Sequence, residues 1–236
     1  MKYQGITCKI CDHSTSVWGC VDSNKSCEEN NGFYLPYTGN AIYYLKCDHC
    51  DFLFTVDYDH WTKEDYKNNI YNDDYIKVDP EYTGARSLGQ AKLLISNQTF
   101  RKNDYVLDYG AGNGTLGSIM NQNGYNVESW DPMWGTEPTW DTNKKFDLIM
   151  AFEVWEHTPN PRETLREMKQ WLKPNGTIFI GTLSSGIMEG RRETNHWYLS
   201  PRNGHVCMHS NKSLDELFFQ VGMTVTHYPW NIHIAT

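Results

Sequence analysis

The chain has 236 residues, 39% of them hydrophobic, with 21 basic and 29 acidic side chains and a net charge of −8. That length suits one large domain or a domain with a small appendage, and the acidic balance without Lys or Arg runs disfavours a nucleic-acid groove. The longest apolar run, 148–152, is five residues, against roughly 20 for a membrane span, and no apolar signal segment follows Met1, so a soluble cytoplasmic protein without membrane or nucleic-acid partners is expected.

Seven cysteines stand at 8, 11, 20, 27, 47, 50 and 207. Cys8-Lys-Ile-Cys11 and Cys47-Asp-His-Cys50 are two C-x-x-C knuckles separated by 35 residues. Each knuckle turn can present two thiolates to one ion, so the pair predicts a tetrahedral Zn²⁺ held by Cys8, Cys11, Cys47 and Cys50. His13 and His49 are alternative ligands, but only the cysteines repeat the spacing. Four protein ligands leave no open position for chemistry, so this zinc is structural. Cys20 and Cys27 lie in a polar stretch without a matching pair and read as free thiols. Residues 51–56 alternate apolar and polar and read as a strand closing a module over 1–57.

Residues 58–86 form a connector with short helices, holding Tyr58, Tyr66, Tyr71, Tyr75 and Tyr82 among many Asp and Asn. Thr62-Lys-Glu-Asp65 is a capped helix start. Leu88, Ala91, Leu94 and Ile95 then fall at helical spacing over 87–96. Residues 105–109 (Tyr-Val-Leu-Asp-Tyr) form an apolar strand running into Gly110-Ala-Gly-Asn-Gly114, followed by Leu116, Ile119 and Met120 on one helical face. Read from Gly112, the loop fits a dinucleotide fingerprint, with its first glycine four residues past Asp108. Read from Gly110, it is Asp-x-Gly-x-Gly-x-Gly, whose strand-end carboxylate would repel a pyrophosphate and suit a cationic amino-acid group.

The neighbours favour the second register. Residues 126–130 make a strand ending in Asp131-Pro132, where an acid can accept both ribose hydroxyls of a nucleoside. Residues 146–152 form a buried strand of parallel type leading into Glu153-Val-Trp-Glu156-His157. Asn160, Pro161 and Glu163 read as a capped helix start, Leu165, Met168 and Leu172 as its core face, and 173–176 as its end. A further strand covers 177–182. Alternating strands and helices imply a doubly wound α/β sheet with ligands at the carboxyl ends of its strands.

Val-Leu-Asp-Tyr-Gly-Ala-Gly-Asn-Gly (106–114), Asp131-Pro132, Phe-Asp-Leu-Ile (146–149), Glu-Val-Trp-Glu-His (153–157) and Leu-Lys-Pro-Asn-Gly (172–176) resemble class I S-adenosylmethionine-dependent methyltransferases, over roughly residues 85–236. The N-terminal knuckles resemble the zinc-ribbon branch, which includes sugar methyltransferases of antibiotic and surface-glycan pathways. The resemblance implies a mostly parallel, seven-stranded Rossmann-like sheet over 87–236 and S-adenosyl-L-methionine as cofactor. By matching position, Asp108 and residues Gly110, Ala111, Gly112, Asn113 and Gly114 would surround the methionine end, Asp131 would hold the ribose and Glu153 would lie near the sulfonium. Tyr109, Pro132, Met133 and Phe152 are further cofactor-binding candidates. Met133, Trp134 and Trp140 are candidates for the adenine.

Methyl transfer is an in-line displacement at a methyl on positive sulfur, so alignment of the reactants is the main task. A hydroxyl acceptor also benefits from a general base, and His157 beside Glu153 and Glu156 is the candidate; the sugar-methylating branch implicates a matching Glu-His pair. The polar loop after the fifth strand, 184–206, carries Arg191, Arg192, His196, Trp197, Tyr198, Arg202 and His205, and reads as a lid supplying donors and stacking faces. His196 or His205 could replace His157 as base, with His205 suited to an orienting role. Ser213-Leu-Asp-Glu216 reads as the cap of a last helix, and 224–228 and 231–235 as a final hairpin. The expected activity is methyl transfer to a small-molecule or glycan acceptor, with a sugar hydroxyl foremost. An RNA-base methyltransferase and a non-catalytic zinc-ribbon partner-binding protein are the alternatives.

Overall fold

The computed structural model describes residues 3–97, 99–135, 137–184 and 194–236. In chain order, strands β1 (Thr15–Asp22), β2 (Ala41–Cys47) and β3 (Leu53–Phe54) precede helices α1 (Lys63–Asn69) and α2 (Ala85–Ser96). Then come β4 (Tyr105–Tyr109), α3 (Thr115–Gln122), β5 (Asn126–Trp130), β6 (Phe146–Phe152), α4 (Pro161–Trp171) and β7 (Leu172–Gly181). The chain closes with β8 (Cys207–Met208), α5 (Asn211–Phe219), β9 (Val225–Tyr228) and β10 (Ile232–Ala235).

The larger sheet has the order β5-β4-β6-β7-β10-β9. Strands β5, β4, β6 and β7 run parallel, while β10 is antiparallel to both β7 and β9. From β4 the chain crosses through α3 to β5 on one side, then returns to β6 on the other. That reversal opens a crevice beyond the carboxyl ends of β4 and its neighbours. The expected seventh strand is absent from this sheet among the described residues, which hold six.

The smaller, antiparallel sheet has the order β1-β2-β3-β8. It is not completed within residues 1–57. The strand expected over 51–56 shortens to two residues, because Asp51 turns with a φ of 60°. Its far edge is paired by β8, Leu53 with Met208 and Phe54 with Cys207. The two sheets also share side-chain packing: Ile10, Leu45, Phe52 and Phe54 belong to the same buried cluster as Leu107, Trp155, Leu214 and Phe218.

Two helix starts differ from the sequence reading. The cap of α5 is Ser210, whose hydroxyl accepts from the Ser213 amide at 2.9 Å while Ser213 bonds back. Spacing alone could not separate the two serines, since each precedes an apolar residue at helical register. Asn160 makes no side-chain cap on α4, and Pro161 alone fixes that entry. Helix α4 ends at Trp171, and residues 173–176 extend β7 instead of forming a separate loop. Thr62 and Asp65 do form the reciprocal capping box that starts α1.

Candidate active site and thiolate cluster

A cavity of about 1060 Å³ occupies the crevice. One end is bordered by Asp108, residues 109–113, Asp131, Pro132 and Met133. The other is bordered by Phe152, Glu153, His157 and a wall from the connector that includes Tyr71, Tyr75 and Arg86.

The glycine loop is held by the strand beside it. Trp130's carbonyl accepts from the amides of Gly110 (2.8 Å) and Ala111 (3.1 Å). Gly110 has a φ of 74°, and a Cβ there would run into Val154. Only glycine fits this turn without displacing the segment that carries Glu153 and His157. Asp131 ties the loop from the neighbouring strand: Oδ2 accepts from the Gly112 amide (2.9 Å) and Oδ1 from the Met133 amide (2.8 Å). Each carboxylate oxygen retains a further lone pair for a ligand hydroxyl. Gly114 caps α3 and does not line the cavity.

Asp108 lies beneath the loop, only 3% exposed, and its Oδ2 has no hydrogen-bond partner. Burial pushes its carboxyl up to about 7, opposed by the Gly117 amide. Such an orphaned oxygen awaits a donor, preferably a cationic one.

Glu153 follows β6 directly, in the left-handed region with a φ of 52°, its amide donating to the Gly181 carbonyl at 2.8 Å. That conformation is costly for a residue with a Cβ and turns the side chain out of the strand's register. Among the described residues, no hydrogen bond or ion pair engages its carboxylate. Burial and the nearby Glu156 raise its pKa to about 7, with Arg86 and His157 pulling the other way. Arg86 itself grips Asp79 with two nitrogens, at 2.6 and 3.1 Å.

His157 faces the cavity, and burial holds its pKa below the usual imidazole value against the charge of Glu153. Its Nδ1 lies 3.1 Å from the Gly204 carbonyl and 3.2 Å from the Tyr71 hydroxyl. Glu156 does not reach the cavity: it is fully buried behind His157, with Oε2 accepting from Thr182 Oγ1 at 2.8 Å. His196 does not line the cavity either. Its Nδ1 accepts from the Tyr198 amide and its carbonyl from Lys25 Nζ, on the face toward the N-terminal module. Of the expected lid, Arg191 and Arg192 lie outside the described residues, and Arg202 is spent on the Ile70 carbonyl and Asn72. Met133 and Trp134 line the cavity, but Trp140 is buried against Trp130, Trp171 and Phe146.

The four knuckle cysteines converge. Sγ–Sγ separations are 3.6 Å for Cys8–Cys50 and 3.5 Å for both Cys11–Cys47 and Cys11–Cys50. A tetrahedron of Zn–S bonds near 2.3 Å has edges of about 3.8 Å, so the cage needs only slight expansion. His13 and His49 stay outside it, stacked on each other at 4.1 Å. Cys20 is exposed, and Cys27 contacts Ser200 instead.

Residues 83–228, well over half of the chain, match the family model described as a methyltransferase domain. The chain belongs to that family. The ubiquinone biosynthesis O-methyltransferase of Rickettsia canadensis is 25% identical over 118 residues, covering 39% of this methyltransferase and 50% of that protein. Its namesake from Actinobacillus pleuropneumoniae is 30% identical over 108 residues, covering 34% and 45%. The chain therefore matches about half the length, or less, of these curated relatives. An O-methyltransferase family protein from Burkholderia thailandensis superposes with a TM-score of 0.46 at 13% identity, over 75% of this chain and 68% of that one.

The residues of this methyltransferase fit S-adenosylmethionine: an unpartnered carboxylate oxygen lies under a glycine turn, and a second acid ends the adjacent strand. Sequence reasoning missed the Asp79–Arg86 pair and the Tyr71 contact to His157. The connector's tyrosines were visible as a composition shift, but which of them reach the cavity depends on contacts between distant segments.

Proposed function

We propose that this methyltransferase uses S-adenosyl-L-methionine to methylate a hydroxyl of a small polar acceptor, a sugar hydroxyl being the leading class. The observation that carries the reading is the single cavity joining the Asp108–Asp131 end to the Glu153–His157 end. Bound at the first end, S-adenosylmethionine supplies a methyl group on positively charged sulfur. Asp108 and residues 110–113 would hold the amino-acid portion, and Asp131 the ribose. The acceptor would lie along Tyr71, Tyr75 and Tyr82, whose rings offer stacking faces, with Asp79 and Arg86 as polar groups at their margin. Its proton passes to the Glu153–His157 pair, where burial lowers the imidazole pKa and favours the neutral, proton-accepting form of His157. The relatives' names as O-methyltransferases support oxygen as the atom methylated. In the same reading the thiolate cluster holds a structural Zn²⁺, supported by its near-tetrahedral spacing.

The test is calorimetric binding of S-adenosylmethionine, followed by labelled methyl transfer to nucleotide sugars, oligosaccharides and small phenols. Stoichiometric binding and transfer to at least one hydroxyl acceptor are expected. His157→Ala should lose turnover while cofactor affinity changes less than about twofold. A protein that binds no cofactor refutes the reading outright; labelling of phenols alone refutes the sugar assignment.

A further inference from the structure

Behind the cavity wall, a second group of donors stands apart from the thiolate cluster. Glu156, His157 and His205 each offer one ligand atom, and the three atoms lie within 4.8 Å of one another. They are brought together by two segments laced at the backbone. Glu156 and His157 lie in the 3-10 turn Trp155–His157 after β6, while His205 follows Gly204, whose φ of 86° reverses the chain. The Val206 amide donates to the Glu156 carbonyl at 2.9 Å, fixing the two segments in register.

Three features distinguish this group from ordinary buried polar residues. First, Oε1 of the fully buried Glu156 has no hydrogen-bond partner. Second, each imidazole has its Nδ1 within hydrogen-bond distance of a backbone carbonyl: His157 at 3.1 Å from Gly204 and His205 at 2.7 Å from Tyr198. A proton on Nδ1 leaves the Nε2 lone pair as the ligand, the arrangement typical of metal-bound histidine. Third, no hydrogen bond joins Glu156 to either histidine among the described residues, so these neighbouring ligand atoms are not spent on one another.

We propose that Glu156, His157 and His205 form a binding site for a divalent transition ion, separate from the Cys8–Cys11–Cys47–Cys50 cluster. Two imidazoles and one carboxylate suit zinc, cobalt, manganese or ferrous ions better than magnesium or calcium, which favour all-oxygen sites. Three protein ligands leave coordination positions open. Tyr44, from β2, donates to the His205 carbonyl at 2.7 Å and braces this ligand from the N-terminal sheet. An ion held there would engage the His157 lone pair and would leave Glu153 as the proton acceptor of the pair proposed above. The site itself does not depend on the acceptor proposed above.

Zinc stoichiometry by elemental analysis and cobalt titration of the zinc-loaded full chain test the inference. The wild-type protein should hold one tightly bound zinc and take up a further equivalent of Co²⁺. The added cobalt should show visible d–d bands without thiolate charge transfer. Glu156→Gln and His205→Gln should each weaken that second equivalent by at least ~10–100-fold, the loss seen when even a partner of a metal ligand is removed. His157→Gln, on the cavity side, should do the same without altering the buried pair, and covers the case in which either core variant fails to fold. A single equivalent in the wild type, a second one carrying thiolate charge transfer, or a second one retained in every folded variant overturns the proposal.

Discussion

Replacing Asp108 by Asn isolates the cost of keeping a carboxyl under the glycine loop. The amide preserves the shape and the bond from the Gly117 amide, and its NH₂ is as unpartnered as the oxygen it replaces. Moving a carboxyl from 3.8 to about 7 corresponds to ~4 kcal/mol of preference for the neutral form. The folded pKa is raised, so the ligand-free protein binds this proton more tightly than the unfolded chain does. The associated stability is fully present below pH 3.8 and is lost as pH rises through about 7. Asp108→Asn removes that loss. Its stability relative to wild type should rise with pH, from little difference near pH 4 to as much as ~4 kcal/mol at pH 8, or roughly 10 °C in Tm. Glu153 titrates in both proteins and cancels in the difference. With S-adenosylmethionine the order should reverse, because the variant loses the carboxylate that meets the cationic end. A tenfold or greater rise in Kd corresponds to a loss of about 1.4 kcal/mol or more. Differential scanning calorimetry of both proteins across this pH range provides the measurement. A Tm difference independent of pH would refute the account of Asp108 as a buried, strained acid.

Three further outcomes are expected. Turnover should rise with pH through about 7 as Glu153 ionises, and Glu153→Gln should flatten that limb; an unchanged pH profile in an active variant removes Glu153 from proton transfer. Cys47→Ser, or chelation of the zinc proposed above, should lower Tm and broaden melting across the whole chain, because the knuckles pack in the same core as Leu107 and Trp155; loss confined to residues 1–57 by hydrogen exchange counts against the shared core. Gly110→Ala should cost ~1–3 kcal/mol from the left-handed backbone and the approach to Val154, and should impair cofactor binding; wild-type stability and affinity would contradict the role of this turn.

That Asp108, the glycine loop and Asp131 meet at one end of the cavity was legible in sequence because it depends on short spacings. An acid near the end of one strand followed by glycines, and a second acid just after the next strand, take their places through local geometry alone. The convergence of the four knuckle cysteines was legible for the same reason. What stayed hidden is non-local. Cys207–Met208 is only a two-residue strand, and nothing in its composition identifies β3 as its partner. His196 lies near His205 in sequence, yet Gly204 and the turn before it carry the two to different surroundings. Glu156 and His157 are adjacent, yet only His157 borders the cavity while Glu156 is fully buried and bonded to Thr182, a difference set by segments distant in sequence.

The two-residue strand β8 has a consequence for engineering. By pairing with β3, it covers an edge that would otherwise offer free amides and carbonyls to another molecule. Excising the first 57 residues would uncover the apolar flank beneath Trp155, and expressing them alone would leave β3 open to stacking with its own kind. Neither half is a portable cassette, and chimeras joined at that seam should precipitate unless the strand from the far half travels with the knuckles.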